Sequence, residues 1–317
     1  MKIVLTDAAT VSHGDLDLSV FSKYGEVVIY DISSKSETVS RISDADAVLM
    51  NKTLLDADVL SHARKLKYIG TFATGYNTID IEYCRARGIT VCNAGTYSTD
   101  AVAQTVFAYI LGRYSHVSEY STFVNNGGWI KSGGFLPLEF PIFEVSGKTL
   151  GIVGYGSIGR RVAELARAFA MRVLVYTRTP SRDPDPSVEY VSFDRLLAES
   201  DIVTCHCPLT ADTARMFDKT AFDKMKSGAY FINTSRGGVI DEIALRDALE
   251  SERLAGAAID VLTSEPMRSD CVLYRAKNLT ITPHIAWAAY ETRQRLMRIV
   301  EDNLRGFIEG TPTNVIV

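Results

Sequence analysis

Short apolar runs at residues 2–5, 26–30, 47–50, 66–72 and 89–92 punctuate the first third of the chain, each closed by a polar or glycine-containing stretch. Runs this short and continuous, with helical spacing between them, predict parallel strands, because a strand covered on both faces has no polar side to alternate with. Beyond Asn93-Ala94-Gly95, the cap-like Ser98-Thr99-Asp100 precedes an apolar segment over 101–114, which predicts a long, mostly buried helix bridging two domains. Residues 125–141 lose all periodicity yet carry Trp129, Phe135 and Phe140 among their glycines. That stretch is too apolar for a solvated loop and predicts an arm packed on another subunit. From Lys148 the rhythm restarts, with runs at 150–153, 172–176, 202–205, 229–233, 257–259 and 279–281. A final helical pattern over 290–308 follows the second set, and is expected to return and pack on the first domain.

The turn after the run at 150–153 specifies the architecture. Gly154-Tyr155-Gly156-Ser157-Ile158-Gly159 opens a periodic segment over 158–170. Strand, glycine turn and helix in that order make a dinucleotide-phosphate site: Gly154 allows the tight turn, Gly156 lets backbone approach the pyrophosphate, and Gly159 lets the helix pack close to the strand. The pyrophosphate then meets the free N–H groups at the positive end of the helix, around Ser157 and Ile158. The pattern predicts an α/β protein of two Rossmann-like domains with parallel sheets. A nucleotide-binding domain, 99–286, is inserted into a discontinuous substrate-binding domain, 1–98 and 287–317, and both crossings line a cleft.

Composition narrows the partners. The chain has 317 residues, too many for one ordinary core, with 46% hydrophobic and 23% charged residues, as in soluble globular proteins. No stretch approaches the roughly 18 continuous apolar residues of a membrane span. A net charge of −4 gives no electrostatic reason to expect nucleic acid or an anionic membrane. The first apolar run is far shorter than a signal-peptide core, so the expected location is the cytoplasm. Cys84, Cys92, Cys205, Cys207 and Cys271 form no even disulfide framework. In Cys205-His206-Cys207, alternation on a strand turns the thiols to one side and the imidazole to the other, so buried reduced thiols are expected and no metal.

Three polar clusters each close a later run: Asn233-Thr234-Ser235-Arg236-Gly237-Gly238, Asp260-Val261-Leu262-Thr263-Ser264-Glu265-Pro266, and Thr282-Pro283-His284-Ile285-Ala286-Trp287. In a doubly wound sheet the carboxyl ends of the strands meet in the ligand crevice, so one arginine, two acids and one histidine converge there. Reduction of a 2-keto acid by a nicotinamide needs a proton donor at the ketone oxygen, which His284 can be in both directions of the reaction. Glu265 can fix the ring in one tautomer and favour its protonated form. Arg236 can fork onto the substrate carboxylate. Asp260 is expected to face the nicotinamide ring.

The order of glycine turn, TSRGG, AIDVLTSEP and TPHIAW closely resembles the D-isomer-specific 2-hydroxyacid dehydrogenases, and Thr71-Phe72-Ala73-Thr74-Gly75-Tyr76-Asn77 and His206-Cys207-Pro208-Leu209-Thr210 extend the resemblance over nearly the whole chain. It implies Arg236, Glu265 and His284 as the catalytic set, with Asp260 near the nicotinamide and His206, Pro208 and Thr234 among the cofactor contacts. The backbone N–H groups of Thr74 and Gly75 should hold the substrate carboxylate. The family also implies a homodimer. Asn51-Lys52-Thr53, Tyr97-Ser98-Thr99-Asp100 and the segment at His284 look most like its glycerate dehydrogenase, or hydroxypyruvate reductase, branch. Asn51 suits a substrate with an extra hydroxyl, although it can equally cap a strand end.

A carboxylate normally follows the second strand of the nucleotide unit and binds the ribose hydroxyls; this chain has Thr177-Arg178 instead. With no acid to repel a 2′-phosphate, and Arg178 and Arg182 able to pair with one, NADP(H) is favoured, while NAD(H) stays usable if Thr177 bonds the ribose. The expected substrates are hydroxypyruvate/D-glycerate or glyoxylate/glycolate, with bulkier 2-keto acids open. Formate dehydrogenases resemble the same scaffold but pair the histidine with glutamine, against Glu265. A phosphite-type dehydrogenase is harder to exclude, and a non-enzymatic NAD-sensing corepressor would retain the same residues but calls for long disordered tails that this chain lacks.

Overall fold

In the computed structural model, which describes residues 1–179 and 185–317, the chain falls into two compact units, Met1–Ser98 with Ala288–Val317, and Thr99–Trp287. In the first, β1 (Lys2–Leu5), β2 (Glu26–Ile29), β3 (Ala47–Met50), β4 (Tyr68–Thr71) and β5 (Thr90–Cys92) alternate with α1 (Lys35–Ile42), α2 (Ala57–Ser61) and α3 (Ile81–Arg87). Each helix starts where a short polar side chain can take up an orphan N–H: Ser34 and Glu37 form a capping box on α1, and Asp56 and Asp80 cap α2 and α3. The strands are parallel in the order β2-β1-β3-β4-β5. Winding reverses between β1 and β3, so the segments leaving those strands, at Asp7 and Asn51, meet at the switch point where such sheets place ligands.

The second unit opens with α4 (Thr99–Ser115), α5 (Val117–Asn125) and α6 (Gly128–Ser132). Among the described residues its seven strands are β6 (Thr149–Val153), β7 (Arg172–Tyr176), β8 (Glu189–Tyr190), β9 (Ile202–Cys205), β10 (Ala229–Asn233), β11 (Leu254–Ile259) and β12 (Leu279–Ile281). They form one parallel sheet, β12-β11-β10-β9-β6-β7-β8, whose switch point lies between β6 and β9. Helices α7 (Ser157–Ala168), α8 (Phe193–Glu199), α9 (Lys219–Lys224) and α10 (Glu242–Glu250) connect the strands. Leu150 and Ile152 of β6 join one hydrophobic cluster and Val153 the other, so period-2 alternation feeds a core on each face. The chain then returns to the first unit as α11 (Tyr290–Ile308), where Phe307 meets Tyr68 of β4 with ring centroids 4.8 Å apart.

Several boundaries differ from the sequence pattern. α4 lies within the second unit and packs on α7, with Phe107 stacked on Phe169 at 5.3 Å. An apolar surface all round a helix signals burial, which one domain alone can supply. Trp287, expected with the first domain, belongs to the second unit. β11 starts at Leu254 rather than 257, and the two-residue edge strand β8 is too short to leave a periodic signature. The stretch from 125 to 141 contains α6, and its return is pinned by Tyr120, whose hydroxyl donates to Phe140 O at 2.7 Å and accepts from Phe140 N at 3.0 Å. Its apolar side chains remain open, with Ile130 86%, Phe135 94% and Leu138 68% exposed.

Candidate active site

The three glycines after β6 carry three different constraints. Gly154 has φ 95°, and a Cβ there would come within 2.6 Å of the Cys207 backbone N. A Cβ at Gly159 would lie 2.3 Å from Gly154 O, whereas one at Gly156 would meet nothing within 4 Å. The protein's own packing therefore demands the first and third glycines, and the second faces open space. Gly156 is the N-cap of α7 and no side chain caps that helix, so the first-turn N–H groups at Ser157, Ile158 and Gly159 are left for an anion. A dinucleotide pyrophosphate fits this cradle. Gly154 N–H donates to Tyr176 O at 2.9 Å and His206 N–H to Val153 O at 2.8 Å, which holds the turn between β7 and β9. Burial pushes the His206 imidazole down to about 3. Its Nε2 lies 3.0 Å from Thr204 Oγ1 and its Nδ1 3.5 Å from Thr234 Oγ1. Pro208 follows, exposed, with its carbonyl accepting the Thr213 hydroxyl at 2.6 Å. The Cys205 and Cys207 sulfurs do face one side, 3.4 Å apart, and both thiols are buried and free.

At the ends of β10, β11 and β12 the three polar clusters interlock. Asn233, fully buried, donates from Nδ2 to Arg236 O at 2.9 Å and accepts the Ser235 N–H and hydroxyl on Oδ1, which shapes the turn that presents Arg236. A Cβ on Gly237 would lie 1.9 Å from Leu262 C, so this turn sits directly against the loop that carries Glu265. Glu265 uses both oxygens: Oε1 accepts the Leu262 N–H at 3.0 Å and Oε2 faces His284 Nδ1 at 2.7 Å. A carboxylate acceptor there puts a proton on Nδ1 and leaves Nε2 as the ring nitrogen open to a ligand.

His284 itself adopts left-handed backbone, φ 56°, unusual for a residue with a Cβ. Asp260 holds it in that conformation. The Asp260 carbonyl accepts the His284 N–H at 2.8 Å, and its carboxylate accepts the Ile285 and Ala286 N–H groups, both at 2.8 Å, and the Thr282 hydroxyl. With 1% exposure and both oxygens committed, the Asp260 carboxylate braces the turn of His284. The Thr282 hydroxyl spends its one proton on Asp260, so Tyr109 of α4, at 2.5 Å from Thr282 Oγ1, is the donor in that contact. Burial pushes the Tyr109 phenol up to about 12, which keeps that proton in place.

In the first unit, Asp7 accepts the backbone N–H groups of Asn51, Lys52 and Thr53, at 2.9, 2.5 and 2.8 Å, and so folds the turn after β3 around one buried carboxylate. The Asn51 amide donates to Thr10 Oγ1 at 3.0 Å and to Thr10 O at 3.3 Å, which commits Nδ2 to the protein and leaves Oδ1 as the group available to a ligand. The Thr74 hydroxyl donates to Gly95 O and the Thr74 carbonyl accepts from Asn93 Nδ2 at 2.8 Å, while the N–H groups of Thr74 and Gly75 have no acceptor among the described residues.

The family model for the D-isomer specific 2-hydroxyacid dehydrogenase NAD binding domain matches residues 107–286, inside the second unit. The chain is 39% identical over 321 residues to a hydroxypyruvate reductase of Blautia hydrogenotrophica, with 100% of this chain and 99% of that protein covered. It is 40% identical over 283 residues to a glyoxylate reductase of Thermococcus litoralis, covering 88% and 85% of the two. Among solved structures, an acyclic imino acid reductase in complex with NADPH and D-Arg superposes with a TM-score of 0.87 at 30% identity, over the whole of both chains. The chain belongs to the D-2-hydroxyacid dehydrogenase family.

In this dehydrogenase the second unit is the part that takes the nicotinamide cofactor, and β7 is followed by Thr177, half-buried, and exposed Arg178. Arg178 Nη1 lies 3.2 Å from Asp212 Oδ2, an exposed pair that solvent screens and a competing phosphate can displace. Arg182, the other candidate for a 2′-phosphate, lies outside the described residues. The sequence reading also missed three contributors: Asn233, Tyr109 and Asp7. Asn233 ends β10 much as any cap would, and Asp7 closes β1 as an ordinary polar turn residue. Tyr109 stands 173 positions from Thr282, so no local pattern could pair them.

Proposed function

We propose that this dehydrogenase reduces hydroxypyruvate to D-glycerate, takes glyoxylate as a second substrate, and prefers NADPH to NADH. The observation that carries the chemistry is the 2.7 Å contact of His284 Nδ1 with Glu265 on a turn braced by Asp260. When bound, the nicotinamide exchanges a hydride with C2 of the substrate. His284 gives the ketone oxygen its proton from Nε2 and takes it back in the reverse direction, while Glu265 fixes the ring's tautomer and orientation. Arg236 forks onto the substrate carboxylate and draws electron density from the carbonyl. The Thr74 and Gly75 N–H groups bind that carboxylate, and Asn51 Oδ1 accepts the hydroxyl at C3 that distinguishes hydroxypyruvate. Asp260 acts as a positioning residue for His284.

On the cofactor side, Gly154, Gly156, Ser157, Ile158 and Gly159 hold the pyrophosphate, His206, Pro208 and Thr234 flank the dinucleotide, and Thr177 and Arg178 receive a 2′-phosphate. The hydroxypyruvate and glyoxylate reductases among the relatives support the substrate reading, and the absence of an acid after β7 supports the cofactor reading. We further propose a homodimer built on the 125–141 arm.

A panel of 2-keto acids, each assayed with NADH and NADPH, tests the specificity. Hydroxypyruvate and glyoxylate should give the highest kcat/KM, with NADPH above NADH; a clear preference for NADH or for a bulkier keto acid overturns the corresponding part. His284→Ala should lower kcat by about 10²–10⁴, the range for loss of a general acid, with cofactor binding intact.

A further inference from the structure

We infer that the amino-terminal edge of the second unit's sheet binds a small dianion, a phosphate or a short dicarboxylate, at the opposite end of the strands from the glycine turn. Because β6, β9, β10 and β11 run parallel, their first residues gather on one edge. A half-enclosed cavity of about 210 Å³ opens there, lined by Arg113, Tyr114, Lys148, Asp201, Lys226 and Tyr230 among others. At ~30 Å³ per water it has room for a ligand of several heavy atoms.

The charges around this cavity do not balance. Three cations face one carboxylate, and that carboxylate is already committed: Asp201 Oδ1 takes Lys226 Nζ at 2.6 Å and Oδ2 takes the Thr149 N–H at 2.9 Å. Arg113 donates to Ala255 O at 3.3 Å and approaches His116 Nε2 at 3.0 Å, partners that bring no negative charge. Lys148, half-buried, makes no close ion pair among the described residues, and the carboxylate it acts on, Asp201, is the one already held by Lys226. Two uncompensated cations on a concave, partly dry wall repel each other more than they would in water, and an anion between them removes that cost. Guanidinium and ammonium together suit a dianion: Arg113 supplies a planar fork and Lys148 a point charge. Burial pushes the Tyr114 phenol up to about 12, so it stays a donor beside them. None of these residues has a part in the proposed cofactor or substrate sites, so a ligand here is additional to both.

The test uses the protein saturated with its reduced cofactor, so that the glycine turn is filled, titrated calorimetrically at pH 7 with inorganic phosphate and, separately, with malonate. Binding of at least one anion by the native protein, weakened ten-fold or more in Lys148→Gln and in Lys148→Glu while cofactor affinity and keto-acid turnover stay unchanged, is the expected result. The tighter of the two anions then identifies the ligand class. No binding at millimolar concentrations, or an affinity in both variants equal to that of the native protein, overturns the site.

Discussion

His206 shows how a single side chain can tie the nucleotide turn to stability. Its imidazole is pushed down to about 3 by burial, so the folded protein keeps it neutral where an unfolded chain protonates it near 6.5. Between those two values the unfolded state binds the extra proton. Stability is therefore fully present above about pH 6.5 and is lost as the pH falls toward 3, by at most ~1.4 kcal/mol per unit. His206 as a residue is half-buried, so solvent screening makes the slope shallower than that limit. Urea midpoints of the cofactor-free protein, measured from pH 7 to pH 4, should fall less steeply for His206→Asn; parallel slopes would show that burial does not hold this ring neutral. At the same scale, His284 is a residue whose type was readable in TPHIAW but whose left-handed backbone was not. That conformation depends on the Asp260 carboxylate, 24 positions earlier, gathering the N–H groups that follow.

At the level of the element, β6, its turn and α7 separate what folding requires from what a ligand requires. A side chain at Gly159 would collide with Gly154 O, whereas a side chain at Gly156 would enter open space. Gly159→Val should accordingly destabilise the protein by about 1–3 kcal/mol, the usual cost of overpacking. Gly156→Val should keep a near-native unfolding midpoint while raising the cofactor KM at least ten-fold, because the β-branched group occupies the approach of the pyrophosphate. Thermal unfolding and cofactor titration of the two variants distinguish these roles, and equal loss of stability in both would refute the division. Element boundaries followed the sequence well where an apolar run had polar ends, as in β3, β7 and β9. They failed for β8, whose two residues carry no period.

For the whole molecule, the 125–141 arm is the feature the isolated chain leaves unexplained. Ile130 and Phe135 are almost fully exposed, with Leu136 at 69% and Leu138 at 68%, and a run of large exposed apolar side chains marks an interaction surface. If the proposed homodimer covers it, Ile130→Asp with Phe135→Asp should shift the sedimenting species from dimer to monomer, and a native protein that sediments as a monomer would sink the proposal. The sequence by itself determined the alternating α/β plan, the place of the glycine turn and the identity of the polar residues that close β10, β11 and β12, because periodicity, turn chemistry and side-chain type are local properties. Tertiary structure alone decided that Asp260 braces the histidine turn, that Tyr109 reaches it through Thr282, that Asn51 gives its amide to Thr10, and that three cations share one cavity at the far edge of the sheet. Those are contacts between segments distant in the chain, fixed by which strand ends the winding of the sheet brings together, and no short window of residues contains them.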